Sequence, residues 1–82
     1  MLESEARVMA ALRSGTRTTR ELLAVSEVAE STARRALRNL SWRGLVAPAR
    51  DHSGSWALSG RGRAWAETAR GRALLDVPAR AR

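Results

Sequence analysis

The stretch that most constrains this chain runs from residue 29 to residue 46, AESTARRALRNLSWRGLV. An α-helix turns by about 100° per residue. At that pitch, four apolar residues share one side: Ala33, Ala36, Leu37 and Leu40. Gly44 follows on the same side and predicts the end of the helix, because glycine tolerates the left-handed conformation found there. The pattern therefore predicts one helix followed by the start of a strand.

The opposite side of this predicted helix is basic and polar. It contains Ser31, Arg34, Arg35 and Arg38, with Asn39 at its edge. A guanidinium group offers a planar fork of donors that suits phosphates and the edge of guanine. A charged run of this kind is usually only a solvated face. The segments on either side of the helix are therefore needed to distinguish a solvated face from a surface that contacts phosphates and bases.

Residues 18–46, TTRELLAVSEVAESTARRALRNLSWRGLV, resemble the helix-turn-helix of winged-helix bacterial regulators of the MarR, GntR and IclR type. T-x-x-E-L-L opens one helix, S-T-A-R-R-A-L-R-N-L forms the next, and R-G-L-V begins a strand. Residues 56–62, WALSGRG, are similar to the second wing strand and the start of the following helix. The resemblance covers about residues 5–70, but the turn has Glu27 where glycine is usual and Ala29 where serine is usual.

The resemblance implies a mainly α fold with a small β-hairpin (α+β). This is a winged helix-turn-helix with a three-helix core, a wing and a C-terminal helix. The domain would span residues 1–72, and residues 73–82 would form a C-terminal segment with an apolar cluster followed by a basic tail. A chain of 82 residues can bury only one core of modest size, so dimerisation would help to stabilise it.

Helices are also predicted before and after this stretch. Residues 4–14 suit a first helix that is capped by Ser4, with an inward side formed by Val8, Met9 and Leu12. Thr18 and Glu21 match a capping box at the start of the second helix. The winged-helix resemblance implies a short edge strand at residues 16–18, paired with the wing. A further helix, capped by Ser59, is predicted to extend to about Arg70, with Trp65 packed on the first helix and Gly71 weakening any continuation.

The hairpin is predicted from two short strands at residues 45–50 and 55–58. Pro48 is tolerated in the first strand only if its missing N–H faces an open edge. Trp56 and Leu58 are two residues apart, so both should point to the core. The loop between the strands contains Arg50 and His52, and His52 would be either solvated or in contact with a backbone phosphate.

Trp42 does not fit the core pattern, because it lies about 180° from the apolar stripe of its helix. A tryptophan is costly to leave in water, so it should be covered by the wing base, a protein interface or DNA backbone. A second apolar cluster, formed by Leu74, Leu75 and Val77, would either fold back onto the core or meet a second subunit.

The charge of the chain indicates a polyanionic partner. Its net charge is +7, and all fifteen basic residues are arginine. At this size such a charge favours nucleic acid. There is no cysteine, the longest apolar run is far below a membrane span, and the N-terminus lacks a secretory pattern, so a cytoplasmic protein without a membrane partner is expected.

Together these features predict sequence-specific binding of double-stranded DNA, with helix 30–43 in the major groove and wing 46–58 on the backbone or minor groove. Arg35 and Arg38 would contact base edges. The other predicted DNA-binding residues are Thr18, Arg20, Ser31, Thr32, Arg34, Asn39, Arg50 and His52, and the predicted protein-interface residues are Trp42, Leu74, Leu75 and Val77.

Transcriptional regulation in a bacterium, phage or plasmid is the main functional hypothesis. The same residues fit a DNA-binding module for plasmid or phage replication, partition or transfer. A winged helix used for protein–protein interaction is a third hypothesis, and a homodimer is compatible with each of them. No paired carboxylates, metal ligands or nucleophile constellation are present in the sequence, so no enzyme, cofactor, metal or small-molecule substrate is expected.

Overall fold

Helices account for most of the protein in the computed structural model, which describes residues 1–50 and 54–76. In these residues the elements are α1 Glu3–Leu12, β1 Arg17–Thr18, α2 Thr19–Ser26, α3 Glu30–Trp42, β2 Val46–Pro48, β3 Ser55–Leu58, α4 Gly60–Ala66 and α5 Ala69–Leu75. The predicted α+β class, mainly helical with a small antiparallel hairpin, is confirmed.

The three strands form one antiparallel sheet in the order β1-β3-β2. Trp56 of the central strand lies between Arg17 of β1 and Pro48 of β2. The backbone N–H of Ala49 donates to the carbonyl of Ser55 at 2.8 Å. Hydrogen-bonded positions alternate along an antiparallel strand, so the nitrogen of Pro48 points away from β3 to the open edge of the sheet. Proline is therefore tolerated here, as predicted.

The core forms around α1, which packs against α2, α3 and α5. Val8, Met9 and Leu12 of this helix are buried, as the sequence predicts. The buried apolar side chains packed with them from the other elements are Leu22, Ala36, Leu37, Leu40, Leu45, Val46, Leu58, Ala66 and Leu75. Each of the five described helices thus contributes to one core. The sequence predicts that Trp56 is also buried, but it is only half-buried against this core.

α3 has the predicted apolar side, since Ala33, Ala36, Leu37 and Leu40 are all buried. The helix ends at Trp42, and Gly44 closes it two residues later with a φ of +74°. The N–H of Leu45 donates to the carbonyl of Leu40 at 2.9 Å, and the N–H of Gly44 donates to the carbonyl of Ser41 at 2.9 Å. This pair of bonds is the Schellman motif, which satisfies the last carbonyls of the helix.

The start of α2 is the predicted capping box. The N–H of Glu21 donates to the Thr18 hydroxyl at 3.1 Å, and the N–H of Thr18 donates to the Glu21 carboxylate at 2.8 Å. The end of α2 is less favourable, because Glu27 adopts the left-handed conformation with φ 58° and ψ 37°. That conformation costs a residue with a Cβ roughly 1–2 kcal/mol. The turn therefore keeps a geometry suited to glycine although its residue is glutamate.

Two predicted helix boundaries are wrong. α1 begins at Glu3 after Leu2, so Ser4 lies inside the helix rather than capping it. The helix capped by Ser59 ends at Ala66 instead of near residue 70, and a separate helix begins after Thr68, whose hydroxyl accepts from the N–H of Gly71 at 2.9 Å. The predicted domain boundary at residue 72 consequently falls inside α5.

At Gly71 the backbone of α5 lies very close to the backbone at the end of α4. A Cβ added to Gly71 would lie 2.0 Å from the carbonyl oxygen of Trp65 and 3.0 Å from the Cα of Ala66. No heavy atom can be accommodated at the shorter of these distances without a shift of the backbone. The sequence predicts that Gly71 weakens a helix, whereas its lack of a side chain allows α5 to turn back against α4.

Gly71→Ala should therefore destabilise the protein by about 1–3 kcal/mol, since overpacking against backbone forces the two helices apart. Gly60→Ala is the matched control, because a Cβ added there would have no neighbouring heavy atom within 4 Å. At a helical position this control should be neutral or stabilising by up to about 1 kcal/mol. Thermal unfolding measures both, and equal melting temperatures for the two variants would contradict the close-approach explanation.

Candidate nucleic-acid interface

The outward side of α3 is a continuous exposed surface. Ser31, Arg34, Arg35 and Arg38 are all exposed, directly opposite the buried apolar side of the same helix. Arg35 and Arg38 are separated by about 60° around the helix axis, so their guanidinium groups can reach the same region of a ligand. The buried side of the helix packs into the core, and the arginines lie on the opposite, solvent-exposed side.

One of these arginines is paired within the helix. The Arg34 Nη2 atom lies 2.7 Å from Oε2 of Glu30, and both side chains are more than half exposed. An exposed pair at this spacing contributes only about 0.3–0.5 kcal/mol, so a phosphate can replace the carboxylate at little cost. Arg35 and Arg38 form no ion pair with a carboxylate of residues 1–50 or 54–76.

The N-terminal end of α3 is less suited to a phosphate than its middle. Ala29 provides no side-chain cap. Thr32 is exposed, and it borders a shallow depression that also contains Glu3, Arg7 and Glu27. Because Arg7 is paired with Glu3, the carboxylate of Glu27 is the charge there that disfavours a phosphate.

The start of α2 supplies two further predicted residues. Arg20 is exposed in the first turn of the helix, where the helix dipole and free N–H groups favour an anion. Thr18 is half-buried, and its oxygen already accepts the N–H of Glu21. Its hydroxyl hydrogen remains available as a donor, so a phosphate contact does not require the cap to break.

Asn39 is a correction to the predicted site. Its side chain is half-buried, and its Nδ2 atom donates to Oε2 of Glu5 at 3.2 Å. The amide is therefore turned toward α1 and does not extend the outward face of α3. Its position at the edge of the helix allowed either direction, and the buried carboxylate 34 residues earlier decided it.

Glu5 supports the position of α3, although the sequence pattern did not single it out. It is only 4% exposed, although a carboxylate is rarely buried without partners. Its oxygens accept from the backbone N–H of Leu2, from Asn39 and from Nη1 of Arg43, each at 3.2 Å. The carboxylate thus caps α1 in place of Ser4 and joins the start of α1 to the end of α3.

Trp42 is predicted to be covered by the wing base, a protein interface or DNA backbone. The first of these alternatives is wrong, because within this chain the residue is 86% exposed. It borders an open groove of about 390 Å³, so the hairpin approaches it without covering it. The groove is lined by Thr19, Arg34, Leu37, Arg38, Ser41, Trp42 and Trp56.

The remaining predicted residues are divided between the surface, the core and the part that is not described. Arg50 is exposed just after β2. Leu74 is 38% exposed, whereas Leu75 is 2% exposed and belongs to the core, so it is not available to a second subunit. His52 and Val77 lie outside the described residues.

Two other kinds of feature are absent from residues 1–50 and 54–76. No helix among them is long and apolar enough to cross a bilayer. They also contain no group of three His, Cys, Asp or Glu side chains placed to hold a metal ion.

No protein-family model matches the chain, and no match is found among curated proteins or solved structures.

The Glu5 contacts give a testable consequence for the position of α3. Glu5→Gln should lower the free energy of unfolding by about 1–3 kcal/mol, because an amide cannot accept charge-assisted bonds from both Arg43 and Asn39. Glu30→Gln is the control, since its exposed pair with Arg34 should contribute no more than about 0.5 kcal/mol. Chemical denaturation measures both variants, and an equal loss in the two would refute a special role for Glu5.

Proposed function

We propose that this protein binds double-stranded DNA in a sequence-specific manner, as a winged helix-turn-helix protein. The observation that most supports this proposal is the outward face of α3, where Arg35 and Arg38 are exposed and have no carboxylate partner in the described part of the chain. The opposite side of α3 is fully anchored in the core. A rigid helix with unpaired guanidinium groups is suited to the major groove.

The arrangement of the elements is compatible with that proposal. α2 and α3 are joined by residues 27–29 alone, a connection of the length found in helix-turn-helix motifs. The β2–β3 hairpin follows α3 directly and would act as the wing. In this proposal α3 lies in the major groove, and the hairpin reaches the DNA backbone or the minor groove.

The residues divide into two roles. Arg35 and Arg38 would contact base edges, since a guanidinium group can bind guanine O6 and N7 together. Ser31, Arg34, Arg20 and Thr18 would contact phosphates and fix the position of the domain on the duplex. Arg50 would contact the backbone from the hairpin. The net charge of +7 adds a long-range attraction to any polyanion.

Transcriptional regulation is the use that we propose first, with plasmid or phage replication, partition or transfer as the alternative setting. A second candidate function is a protein-interaction module, and the exposed Trp42 is the observation that favours it. The response of binding to salt separates the two, because phosphate contacts release counterions and apolar contacts do not.

Duplex binding should weaken steeply as salt is added. If about five phosphates are contacted, log K should fall against log salt with a slope of roughly −4 to −5. Fluorescence anisotropy of a labelled duplex at several salt concentrations measures the slope. A slope near zero, or no binding at low salt, would exclude the proposed function and favour the protein-interaction module.

Substitutions should distinguish α3 from the hairpin. Loss of a bidentate base contact costs about 1–3 kcal/mol and relaxes the choice of base at one position, so Arg35→Ala and Arg38→Ala should lower the ratio of specific to non-specific affinity. Arg50→Ala should lower both affinities and reduce the salt slope by about one unit.

The measurement requires a site selected from random DNA, and a scrambled duplex of the same length and composition as its control. Each variant is titrated onto both duplexes at several salt concentrations. If Arg50→Ala abolishes the preference for the selected site while the two α3 variants keep it, then α3 does not read the sequence and the assignment of roles is wrong.

A further inference from the structure

Trp42 lies on the same outward stripe as the arginines of α3. It follows Arg35 by seven residues and Arg38 by four, which are about two turns and one turn of the helix. Its side chain is 86% exposed, which is the largest exposure of any large hydrophobic residue in the described part of the chain. A tryptophan so exposed gives the folded protein little stability, and its position beside a groove leaves the indole accessible to a ligand.

The groove beside Trp42 combines aromatic and basic groups. The buried side chain of Leu37 and the half-buried indole of Trp56 border it from the core side. Arg34, Arg38 and the hydroxyls of Thr19 and Ser41 complete its lining. Among the described residues, no carboxylate contributes to that lining. The groove is therefore complementary in charge to an anion, and its apolar part offers flat aromatic surface.

An unpaired nucleotide has both of these properties. Its base has a π-face that can stack on an indole, and its phosphate can bind a guanidinium group. A base within a duplex cannot use this surface, because both of its faces are already stacked on neighbouring base pairs and only its edges are accessible. The exposed indole thus adds a contact that a regular duplex does not require.

A second copy of the chain is a poorer occupant of the same groove. A two-fold symmetric contact brings the same patch of both subunits together. Arg34 and Arg38 of one copy would then face the same residues of the other, and each copy has a net charge of +7. Like charges at a contact oppose association, whereas the same groups attract a nucleic acid.

We propose that the Trp42 groove binds an unpaired nucleobase, with the indole of Trp42 as the stacking surface and Arg34 on the adjacent phosphate. The inference rests on the proposed function, because the phosphates would be contacted from the same face of α3. It adds a preference for DNA in which a duplex adjoins a single strand, as at a fork, a gap or an opened end.

Three DNA probes of matched sequence test this preference. The first is a blunt duplex of about twenty base pairs, and the second has the same duplex with a single-stranded extension of about six thymidines. The third has an extension of equal length made of abasic nucleotides, so it has the phosphates of the second probe without its bases. A difference in affinity between the second and third probes measures the contribution of the unpaired bases alone.

The full chain should bind the thymidine extension at least about 5-fold more tightly than the abasic extension, given the usual strength of stacking on an aromatic side chain. Trp42→Ala should reduce this ratio to about one, and Trp42→Phe should retain much of it. Val25→Ala, which truncates another exposed apolar side chain, should leave the ratio unchanged. Because Trp42 is so exposed, the melting temperature of Trp42→Ala should equal that of the unaltered chain.

The outcomes separate this inference from the proposed function. Equal affinity for the thymidine and abasic extensions, or a ratio that survives in Trp42→Ala, overturns the inference even when the blunt duplex binds. A Trp42-dependent ratio without salt-dependent binding of the blunt duplex supports the inference and removes the proposed duplex function. Self-association in sedimentation that is lost in Trp42→Ala would assign the groove to a second copy and overturn the inference.

Discussion

The carboxylate of Glu5 is the contact on which the position of α3 depends. It is buried at the start of α1 and accepts hydrogen bonds from Asn39 and Arg43 near the end of α3. A buried carboxylate is stable only when its oxygens are satisfied, so α1 and α3 can adopt only arrangements that keep these donors in place. The apolar core joins the same two helices and decides which side of α3 is buried, but apolar contacts are not directional and leave small rotations of the helix open. The polar contacts fix the rotation, and with it the direction in which Arg35 and Arg38 point.

Because other contacts hold α3 in place, the arginines on its outward face are not needed for ion pairs within the described chain. Arg34 has only a weak exposed pair with Glu30, and Arg38 has no carboxylate partner in residues 1–50 or 54–76. Unpaired guanidinium groups in water cost the folded state little, since they stay hydrated. They therefore add nothing to folding and remain free to bind phosphates or base edges, which is the basis of the proposed DNA binding.

Trp42 extends this face from purely electrostatic contacts to aromatic ones. An arginine binds any phosphate, whereas an indole distinguishes a base that is stacked from one that is free. The groove between α3 and β3 places both kinds of group side by side, with Trp56 and Leu37 beneath them. Under the proposed binding, the protein would respond to the state of the DNA as well as to its sequence.

The local pattern of the sequence determined the parts of this protein that depend on neighbouring residues. The period of Ala33, Leu37 and Leu40 fixed which side of α3 is buried, and the arginines opposite them had to be exposed. The Thr18–Glu21 capping box and the helix end at Gly44 likewise follow from hydrogen bonds within a few residues. Tertiary structure decided the rest, because it depends on partners distant in the chain or on a close fit of two backbones. Asn39 turned inward to Glu5, Gly71 allowed α5 to pack on α4, and the hairpin left Trp42 open to solvent.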